Sequence, residues 1–328
     1  MNIYDSAEKC GVSIATVSRV LNNNPNVSAT TRDRILAVIE QENYTPSALA
    51  RRLGNGESDP AEAGAVSPAV GILCPDLCHP YYAELLAQLE AGIRARGLDV
   101  LLVGGTADPT TQQASLSALA GKGVKAVILM DPTLSDTPLT APLPLIVAEG
   151  IPTPDTITVG GDHSRAVGDI VKQLMGRQRR RILFLYSRMS HSCHQKLEGY
   201  RAAYAAAGLA VDPDLIVAVD SRPESVNTVV KQLLVKRVTF DAVIGADDAV
   251  ALGALKALGR TGLSMPIIGY HDSAMARCNT PALTSVGSNP DALCTAMLES
   301  LDSLLAGKTV SAATIPTTLV ERDTFRNA

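Results

Sequence analysis

The chain has 328 residues, 46% of them hydrophobic, and a formal net charge of −4 at pH 7. This length suits two or three compact units, and the hydrophobic fraction is ample for a large core. The negative charge excludes a chain that binds nucleic acid along its whole length. No hydrophobic run approaches a membrane span and no signal peptide precedes the first predicted helix, so we expect a soluble, cytoplasmic protein with no membrane partner.

The first fifty residues predict three short helices. Residues 3–10 read as the first, and the turn at Gly11 leads to Ser13, which can cap the second. A third helix follows Ser28. The hydrophobic residues expected to face one another in this small core are Val17, Val20 and Leu21 on the second helix and Ile35, Leu36 and Ile39 on the third.

The other face of the second helix carries small hydrogen-bonding groups and one guanidinium: Thr16, Ser18, Arg19 and Asn22. Such groups contact phosphates and the edge of guanine in the major groove of DNA. A helix, a glycine-containing turn and a second helix together predict a helix-turn-helix. Residues 1–56 carry almost balanced charge, so specific contacts and dimer formation should matter more than non-specific attraction.

A further short helix is predicted at about 47–53, between a capping Ser47 and a terminating Gly54. It carries Arg51, Arg52 and Leu53 but has too few hydrophobic residues for a core. Such a helix is marginal alone and needs a partner surface, which DNA and the same helix of a second chain would provide. Residues 57–69 are acidic and rich in Gly, Ala, Ser and Pro, which predicts a linker.

From Val70 onward, short hydrophobic strands alternate with helices. The predicted strands are Val70–Cys74, Val100–Val103, Ala126–Met130, Leu145–Ala148, Ile182–Tyr186, Ala242–Gly245 and Ile267–Gly269. The predicted helices are 81–96, 111–121, 164–176, 196–207, 223–236 and 249–261. This alternation predicts parallel sheets wound by helices, and its length predicts two such subdomains with a cleft at the carboxyl ends of the strands.

The run from Ile3 to Leu53 resembles the DNA-binding headpiece and hinge helix of the LacI/GalR family of bacterial transcription regulators. Later segments resemble the same family, namely 70–76 followed by 79–82, 196–200, 246–253, 269–272 and 280–286. The resemblance implies an α/β fold with an all-α helix-turn-helix headpiece and two doubly wound parallel-sheet subdomains of periplasmic-binding-protein type. It also implies a homodimeric repressor that binds a near-palindromic operator under the control of a small-molecule effector.

The expected domains are a headpiece at 1–56 with its hinge helix, a linker at 57–69, and an effector-binding and dimerisation domain at 70–328. Within the last, the first subdomain is expected at about 70–160 and 287–313, and the second at about 161–286 and 314–328. Hydrophobic residues on the helices at 81–96 and 111–121 predict dimerisation through the first subdomain.

The resemblance also assigns roles to individual residues. Ile14 and Ala15 take the two positions that usually choose bases, Leu53 takes that of the wedge in the central base step, and Arg52 is placed in the minor groove. The effector residues carried over are Tyr81, Tyr82, Glu149, Lys196, Asp220, Asp247 and His271.

Several of these positions depart from the family. Lys196 stands where arginine is common, Asp247 where asparagine is common, His271 where aspartate is common, and His79 where asparagine precedes the proline. Together with Arg188, His191 and His194, Lys196 makes the preceding loop basic, which predicts either an anionic effector, such as a sugar phosphate or organic acid, or a merely solvated loop. With a histidine at 271, effector binding should vary between about pH 5.5 and 7.5.

Other patterns give little chemistry. The six cysteines are scattered and predict free thiols. Neither Cys74 with Cys78 nor 191–194 matches a zinc pattern, so no metal or cofactor is expected. The basic run at 177–181 predicts a solvated connection rather than a second nucleic-acid patch. No catalytic constellation is present. The alternatives are a solute-binding protein and a sugar- or nucleotide-modifying enzyme of the same fold; the headpiece and the lack of a signal peptide disfavour the first.

Overall fold

A computed structural model describes most of the chain. The described residues are 9–21, 27–41, 68–105, 108–135, 139–153, 156–187, 189–259, 261, 264–308 and 312–326. The predicted hinge helix at 47–53, nearly all of the predicted linker at 57–69 and most of the predicted first helix at 3–10 lie outside these ranges.

The N-terminal part contains α1 (Ile14–Leu21) and α2 (Ala29–Gln41). Before α1, Gly11 has a φ of 60°, and the Ser13 hydroxyl accepts a hydrogen bond from the Thr16 N–H at 3.3 Å. The buried residues of this small core are Cys10, Val17, Val20 and Ile35. The prediction that Leu36 faces the core is wrong, since Leu36 is 45% exposed. Successive side chains of a helix point in directions about 100° apart, so Leu36 points away from the core that its neighbour Ile35 enters. Val38 packs on this core instead.

The first lobe is built on a six-stranded parallel sheet. Its strands are β1 (Ala69–Cys74), β2 (Asp99–Gly104), β3 (Ala126–Met130), β4 (Leu145–Ala148), β5 (Thr156–Gly161) and β11 (Ala313–Ile315), in the order β11-β5-β4-β3-β1-β2. Helices α3 (Pro80–Arg94) and α10 (Pro290–Leu305) cover one face, and α4 (Pro109–Gly121) covers the other. The central strands are hydrophobic on both faces, as is typical of a covered parallel sheet.

The second lobe has a second six-stranded sheet. Its strands are β6 (Ile182–Tyr186), β7 (Ile216–Ala218), β8 (Ala242–Gly245), β9 (Ile267–Tyr270), β10 (Thr284–Gly287) and β12 (Thr318–Val320), in the order β12-β10-β9-β8-β6-β7, and only β12 is antiparallel to its neighbour. One face carries α5 (His163–Gly176), α6 (His191–Ala206) and α11 (Asp323–Arg326); the other carries α7 (Pro223–Val235), α8 (Asp248–Leu258) and α9 (Ala274–Cys278). A 3₁₀ turn at Pro213–Leu215 precedes β7.

The chain passes between the lobes three times, and we call these passages the crossings. They lie at 162, 288–289 and 316–317, between strands of different sheets. The expected subdomain limits at 160, 286 and 313 fall one or two residues before the ends of β5, β10 and β11. The last limit is displaced most because β11 and β12 are three-residue strands separated by two residues, which gives no hydrophobic periodicity to read.

Four strands have the predicted bounds, namely β3, β4, β6 and β8. The prediction of a basic loop before Lys196 is wrong, because α6 begins at His191, where Ser190 caps the helix. The basic run at 177–181 is tied to the second lobe: the Arg177 guanidinium donates to the Phe325 carbonyl at 2.7 Å, and Arg181 pairs with Asp212 at 2.9 Å. Across the described ranges, no helix is both long enough and hydrophobic enough to cross a membrane.

Candidate functional site

A cavity of about 400 Å³ lies between the two lobes, at the carboxyl ends of the strands. Most of its lining residues are of polar type, and they come from both lobes, which suits a small polar ligand held at strand ends. The first lobe contributes Pro75, Asp76, His79, Tyr82 and Asp131, and the second contributes Ser187, Ser190, Ser192, Cys193, Lys196, Asp220, Ser221, Ala246, Asp247 and His271.

Five of the seven predicted effector residues line this cavity: Tyr82, Lys196, Asp220, Asp247 and His271. Tyr81 does not; its ring stacks on that of His271, with the ring centroids 3.8 Å apart. Glu149 does not line the cavity either, because its carboxylate is engaged with His163 and with the Gly161 N–H. Both residues were expected to touch the ligand, and the geometry gives them supporting positions instead.

Lys196 is the only lysine or arginine among the described residues that line the cavity. It is 2% exposed, and its ammonium donates to the Ala246 carbonyl at 2.9 Å and lies 3.9 Å from the centroid of the Tyr270 ring. Burial lowers the pKa of Lys196, while the neighbouring Cys193 and the carboxylates of Asp131, Glu149 and Asp247 oppose that shift. The side chain is held in one geometry by a carbonyl and an aromatic face before any ligand arrives.

His271 follows β9 in a strained backbone conformation. Its φ is 95°, a value that residues other than glycine rarely adopt. Such strained conformations cluster at binding sites. The Nδ1 atom is 2.9 Å from the Ser288 hydroxyl. Burial lowers the pKa of His271 well below its ordinary value, and the neighbouring Lys196, His79 and His163 lower it further. The expected titration between pH 5.5 and 7.5 therefore moves to lower pH.

The depressed pKa of His271 links its protonation to stability. The unfolded chain binds this proton near the ordinary histidine pKa of about 6.5 and the folded chain only at lower pH, so the stability that His271 contributes is complete above pH 6.5 and is lost as the pH falls. Between pH 7 and pH 5 we expect the free energy of unfolding of the wild type to fall more steeply than that of His271→Asn, by up to about 1.4 kcal/mol per pH unit.

Urea unfolding at several pH values measures this difference. Asp248, whose pKa burial raises to about 6, titrates in the same range but is present in both proteins, so its contribution cancels. Parallel pH profiles for the two proteins would contradict the assignment.

His79 is a cavity residue that was not among the predicted effector residues. Its Nε2 lies 3.8 Å from Asp247 Oδ2 across the cleft, and its ring is 4.8 Å from that of Tyr82, centroid to centroid. Burial alone would raise the pKa of Asp247, but the nearby His79, the helix-capping bond from the Val250 N–H and the charge of Lys196 bring it below its ordinary value. The unusual histidine before Pro80 was the available signal.

Two further carboxylates line the cavity. Asp131 is 6% exposed and accepts a hydrogen bond from the Tyr82 hydroxyl at 2.7 Å, which joins two residues of the first lobe at the cavity wall. Sequence reasoning missed Asp131. Asp220 lies at the edge, where the hydrogen bonds of Arg222 lower its pKa. Its carboxylate therefore remains an acceptor at the cavity mouth.

Beneath the cavity, three buried side chains form a hydrogen-bonded chain between the lobes, which we call the relay: Glu149, His163 and Tyr270. The His163 Nδ1 is 2.7 Å from the Tyr270 hydroxyl, and its Nε2 is 2.6 Å from Glu149 Oε2. Burial raises the pKa of Tyr270 well above its ordinary value, so its hydroxyl keeps its proton. Tyr270 then donates to Nδ1, and the Nε2–H donates to Glu149.

Two glycines make room for the relay. A Cβ on Gly160 would lie 2.6 Å from Glu149 Oε2, and one on Gly161 would lie 2.9 Å from the His163 ring. Glu149 itself has a φ of 59°, and its carboxylate accepts the Gly161 N–H at 2.9 Å. The relay joins a loop of the first lobe to the ring that supports Lys196 in the second, and sequence reasoning missed His163 as a member.

The predicted DNA contacts are described only in part. Arg19 is exposed on α1, and the Thr16 hydroxyl lies 2.9 Å from that of Ser13. The backbones of Ile14, Ala15 and Ser18 belong to α1, but their side chains are outside the described atoms. Asn22, Arg52 and Leu53 lie outside the described residues. The described cysteines are free thiols, and the described ranges hold no cluster of three side chains suited to a metal ion.

Two family models cover nearly the whole chain. Residues 67–317 match the one described as "Periplasmic binding proteins and sugar binding domain of LacI family", and residues 2–47 match "Bacterial regulatory proteins, lacI family". The chain belongs to the LacI family. It is a helix-turn-helix regulator of transcription with a ligand-binding domain of periplasmic-binding-protein type.

Two relatives match this chain over most of its length. The chain is 33% identical to an "HTH-type transcriptional regulator" of Lachnoclostridium phytofermentans, over 99% of each chain. It is 30% identical to "Catabolite control protein A" of Priestia megaterium, over 87% of each. These relatives are named as regulators of transcription or control proteins, so neither name indicates a solute-binding protein or an enzyme.

Solved structures agree on the fold. A Lac repressor dimer bound to operator and the anti-inducer ONPF matches with a TM-score of 0.69 and 23% identity, over 99% of this chain and 98% of that one. A complex of the transcriptional regulator CelR with cellobiose matches with a TM-score of 0.68 and 24% identity, over 99% of each chain.

Proposed function

We propose that this LacI-family member is a repressor whose affinity for operator DNA is controlled by a small molecule bound in the cavity between its lobes. The observation that carries the proposal is the polar cavity itself, lined from both lobes and joined in one chain to a helix-turn-helix. A ligand that touches both lobes favours one lobe arrangement over another, and only such differential binding can shift an equilibrium.

The domain division proposed is the one predicted from the sequence. Residues 1–56 form the headpiece, with a hinge helix at 47–53, and 57–69 form the linker to the bilobal domain at 70–328. Arg19, Thr16, Ser18 and Asn22 are proposed to contact the major groove together with Ile14 and Ala15. Arg52 and Leu53 are proposed to enter the minor groove. The exposed position of Arg19 on α1 supports this assignment.

A homodimer is proposed because one headpiece is too small and too weakly basic to bind an operator alone. The expectation that α3 and α4 present spare hydrophobic residues is wrong, since the large exposed hydrophobic side chains of the described part lie elsewhere. In the first lobe, Leu102 on the edge strand β2 and the adjoining Leu77 are each nearly half exposed. This edge is the proposed dimer surface. Cytoplasmic location and association with the nucleoid follow from the proposed function.

For the effector, we propose a neutral polyhydroxy molecule of sugar size. Carboxylates outnumber ammonium groups in the described lining, with Asp76, Asp131, Asp220 and Asp247 against Lys196. Carboxylate oxygens accept hydrogen bonds from hydroxyl groups and repel anions. The fold match to a regulator complexed with cellobiose is consistent with a sugar. The buried Lys196 favours the second candidate effector, an anion such as a sugar phosphate. Arg188, which was predicted to act with Lys196 on such an anion, lies outside the described residues.

A thermal-shift screen tests the proposal. Neutral mono- and disaccharides, sugar phosphates, nucleosides and organic acids are added to the full chain, and a ligand of the folded state raises the melting temperature. An operator is obtained by selection from random duplexes with the same protein. We expect a neutral sugar to raise the melting temperature and to change operator affinity. A compound that binds in the cavity without any effect on operator affinity would overturn the proposed control.

A further inference from the structure

The two lobes touch through their backbones at a place remote from the crossings. Residues 132–134 follow β3 in the first lobe, and residues 189–191 lead into α6 in the second. Thr133 and Ser190 form an antiparallel bridge. The Leu134 N–H donates to the Met189 carbonyl at 3.1 Å, and the His191 N–H donates to the Pro132 carbonyl at 3.1 Å. We call this pairing the latch.

The position of the latch makes it sensitive to opening of the lobes. The crossings attach to β5, β10, β11 and β12, at one edge of each sheet. β4 separates β3 from β5, and β8 and β9 separate β6 from β10. A rotation that opens the lobes about the crossings would therefore move 132–134 away from 189–191 and break the two hydrogen bonds of the latch.

The latch is also continuous with the cavity. Asp131, which precedes it in the first lobe, accepts the Tyr82 hydroxyl at the cavity wall. Ser190 caps α6 by accepting the Cys193 N–H at 3.2 Å, and α6 carries Cys193 and Lys196 into the cavity. Closure of the lobes therefore also positions the turn of α6 that faces the cavity against the first lobe.

Besides the relay and the pair of His79 with Asp247, an ion pair on the surface also joins the lobes. Arg277 on α9 lies 3.6 Å from Glu84 on α3, and both side chains are substantially exposed. Exposed ion pairs contribute little because water and salt screen them. The backbone hydrogen bonds of the latch involve no long flexible side chains and are not screened in this way.

We infer that the latch holds the cleft closed around its ligand, so that the backbone at Ser190 and His191 positions α6 and sets effector affinity. The inference rests on the proposed effector function of the cavity, and it concerns how that site is held shut. A ligand that needs the closed form binds with an apparent affinity reduced by the fraction of molecules that are closed. Weakening the latch therefore weakens binding without altering any group that touches the ligand.

His191 offers a selective test. It is the first residue of α6, where the backbone N–H has no helical partner and proline is well tolerated. Ser190 has φ −90° and ψ 173°, the extended conformation that a residue before proline prefers. His191→Pro removes the latch donor and keeps the helix start. His191→Ala loses the same imidazole but keeps the donor, so the difference between the two variants isolates one hydrogen bond.

Hydrogen–deuterium exchange of the full chain, followed on the peptide that contains Leu134, reads the latch without any effector. We expect exchange at Leu134 to be about two- to tenfold faster in His191→Pro than in His191→Ala, the range of one net hydrogen bond. The affinity for whichever neutral sugar emerges from the thermal-shift screen should fall by the same factor. Equal exchange in the two variants, with equal circular dichroism, would overturn the inference.

A second pair of variants tests the latch if His191→Pro does not fold. Leu134→Pro removes the other donor, Leu134→Ala keeps it, and exchange is then followed at His191 with the same expectation. The exchange result stands whether or not a sugar binds. Absence of any ligand would therefore count against the proposed function, whereas unchanged exchange would count against the latch.

Discussion

Replacing Arg19 by alanine is expected to lower the affinity for the selected operator by about five- to 150-fold while affinity for an unrelated duplex falls little. Arg19 is exposed in the last turn of α1, the second helix of the helix-turn-helix. A bidentate contact between a guanidinium and guanine contributes about 1–3 kcal/mol of discrimination. The loss should therefore be confined to the specific sequence. Gel-shift titration at one fixed salt concentration measures both affinities.

Arg34→Ala is the matched control. Arg34 is exposed on α2 and carries the same charge, so its loss removes the same non-specific attraction from the headpiece without a base contact. We expect Arg34→Ala to weaken binding slightly and equally on both duplexes. If the two variants lose operator affinity to the same extent, Arg19 makes no base-specific contact.

Replacing His163 by leucine is expected to lower the free energy of unfolding by about 3–5 kcal/mol, the cost of removing one partner from a buried polar pair. The substitution leaves the Glu149 carboxylate, 6% exposed, with the Gly161 N–H alone, and it leaves the Tyr270 hydroxyl without its acceptor. Tyr270→Phe should cost less, about 1–3 kcal/mol, since it deprives only His163 Nδ1 of its partner.

Urea unfolding at pH 7, followed by circular dichroism, compares these variants with His194→Leu. His194 lies on the exposed side of α6, where its side chain is 42% exposed, so the same substitution should change stability little there. A loss for His163→Leu no larger than that for His194→Leu would show that the relay does not stabilise the folded protein.

The parts of the fold that the sequence predicted well are those with strong local patterns. β3, β4, β6 and β8 are short hydrophobic runs between polar turns, and their bounds matched. β11 and β12 were missed because three residues carry no periodicity. The start of α6 was missed because His191 to His194 are polar, and the cap at Ser190 that begins the helix gives a weaker signal than a hydrophobic stripe.

The site was predictable where a residue follows a strand and points into the cleft, as Asp247 and His271 show, whereas Lys196 reaches the cavity from α6. Glu149 also follows a strand, but its φ of 59° and its partner His163 direct the carboxylate away from the cavity. The relay could not be predicted, since Tyr270 lies 107 residues from His163 and only the folded chain brings them together. The direction in which a side chain at the end of a strand points depends on the local backbone conformation and on hydrogen-bond partners that are distant in the sequence.

The central claim is that the ligand in the cavity and the operator on the headpiece control each other's binding. Isothermal titration of the sugar identified by the thermal-shift screen, with and without saturating operator, tests it most directly. Linkage requires the operator to change the affinity for the sugar by the same factor by which the sugar changes the affinity for the operator, about five- to 150-fold in coupled systems. Equal factors in the two titrations are the predicted result, and an affinity for the sugar that the operator leaves unchanged would contradict the account.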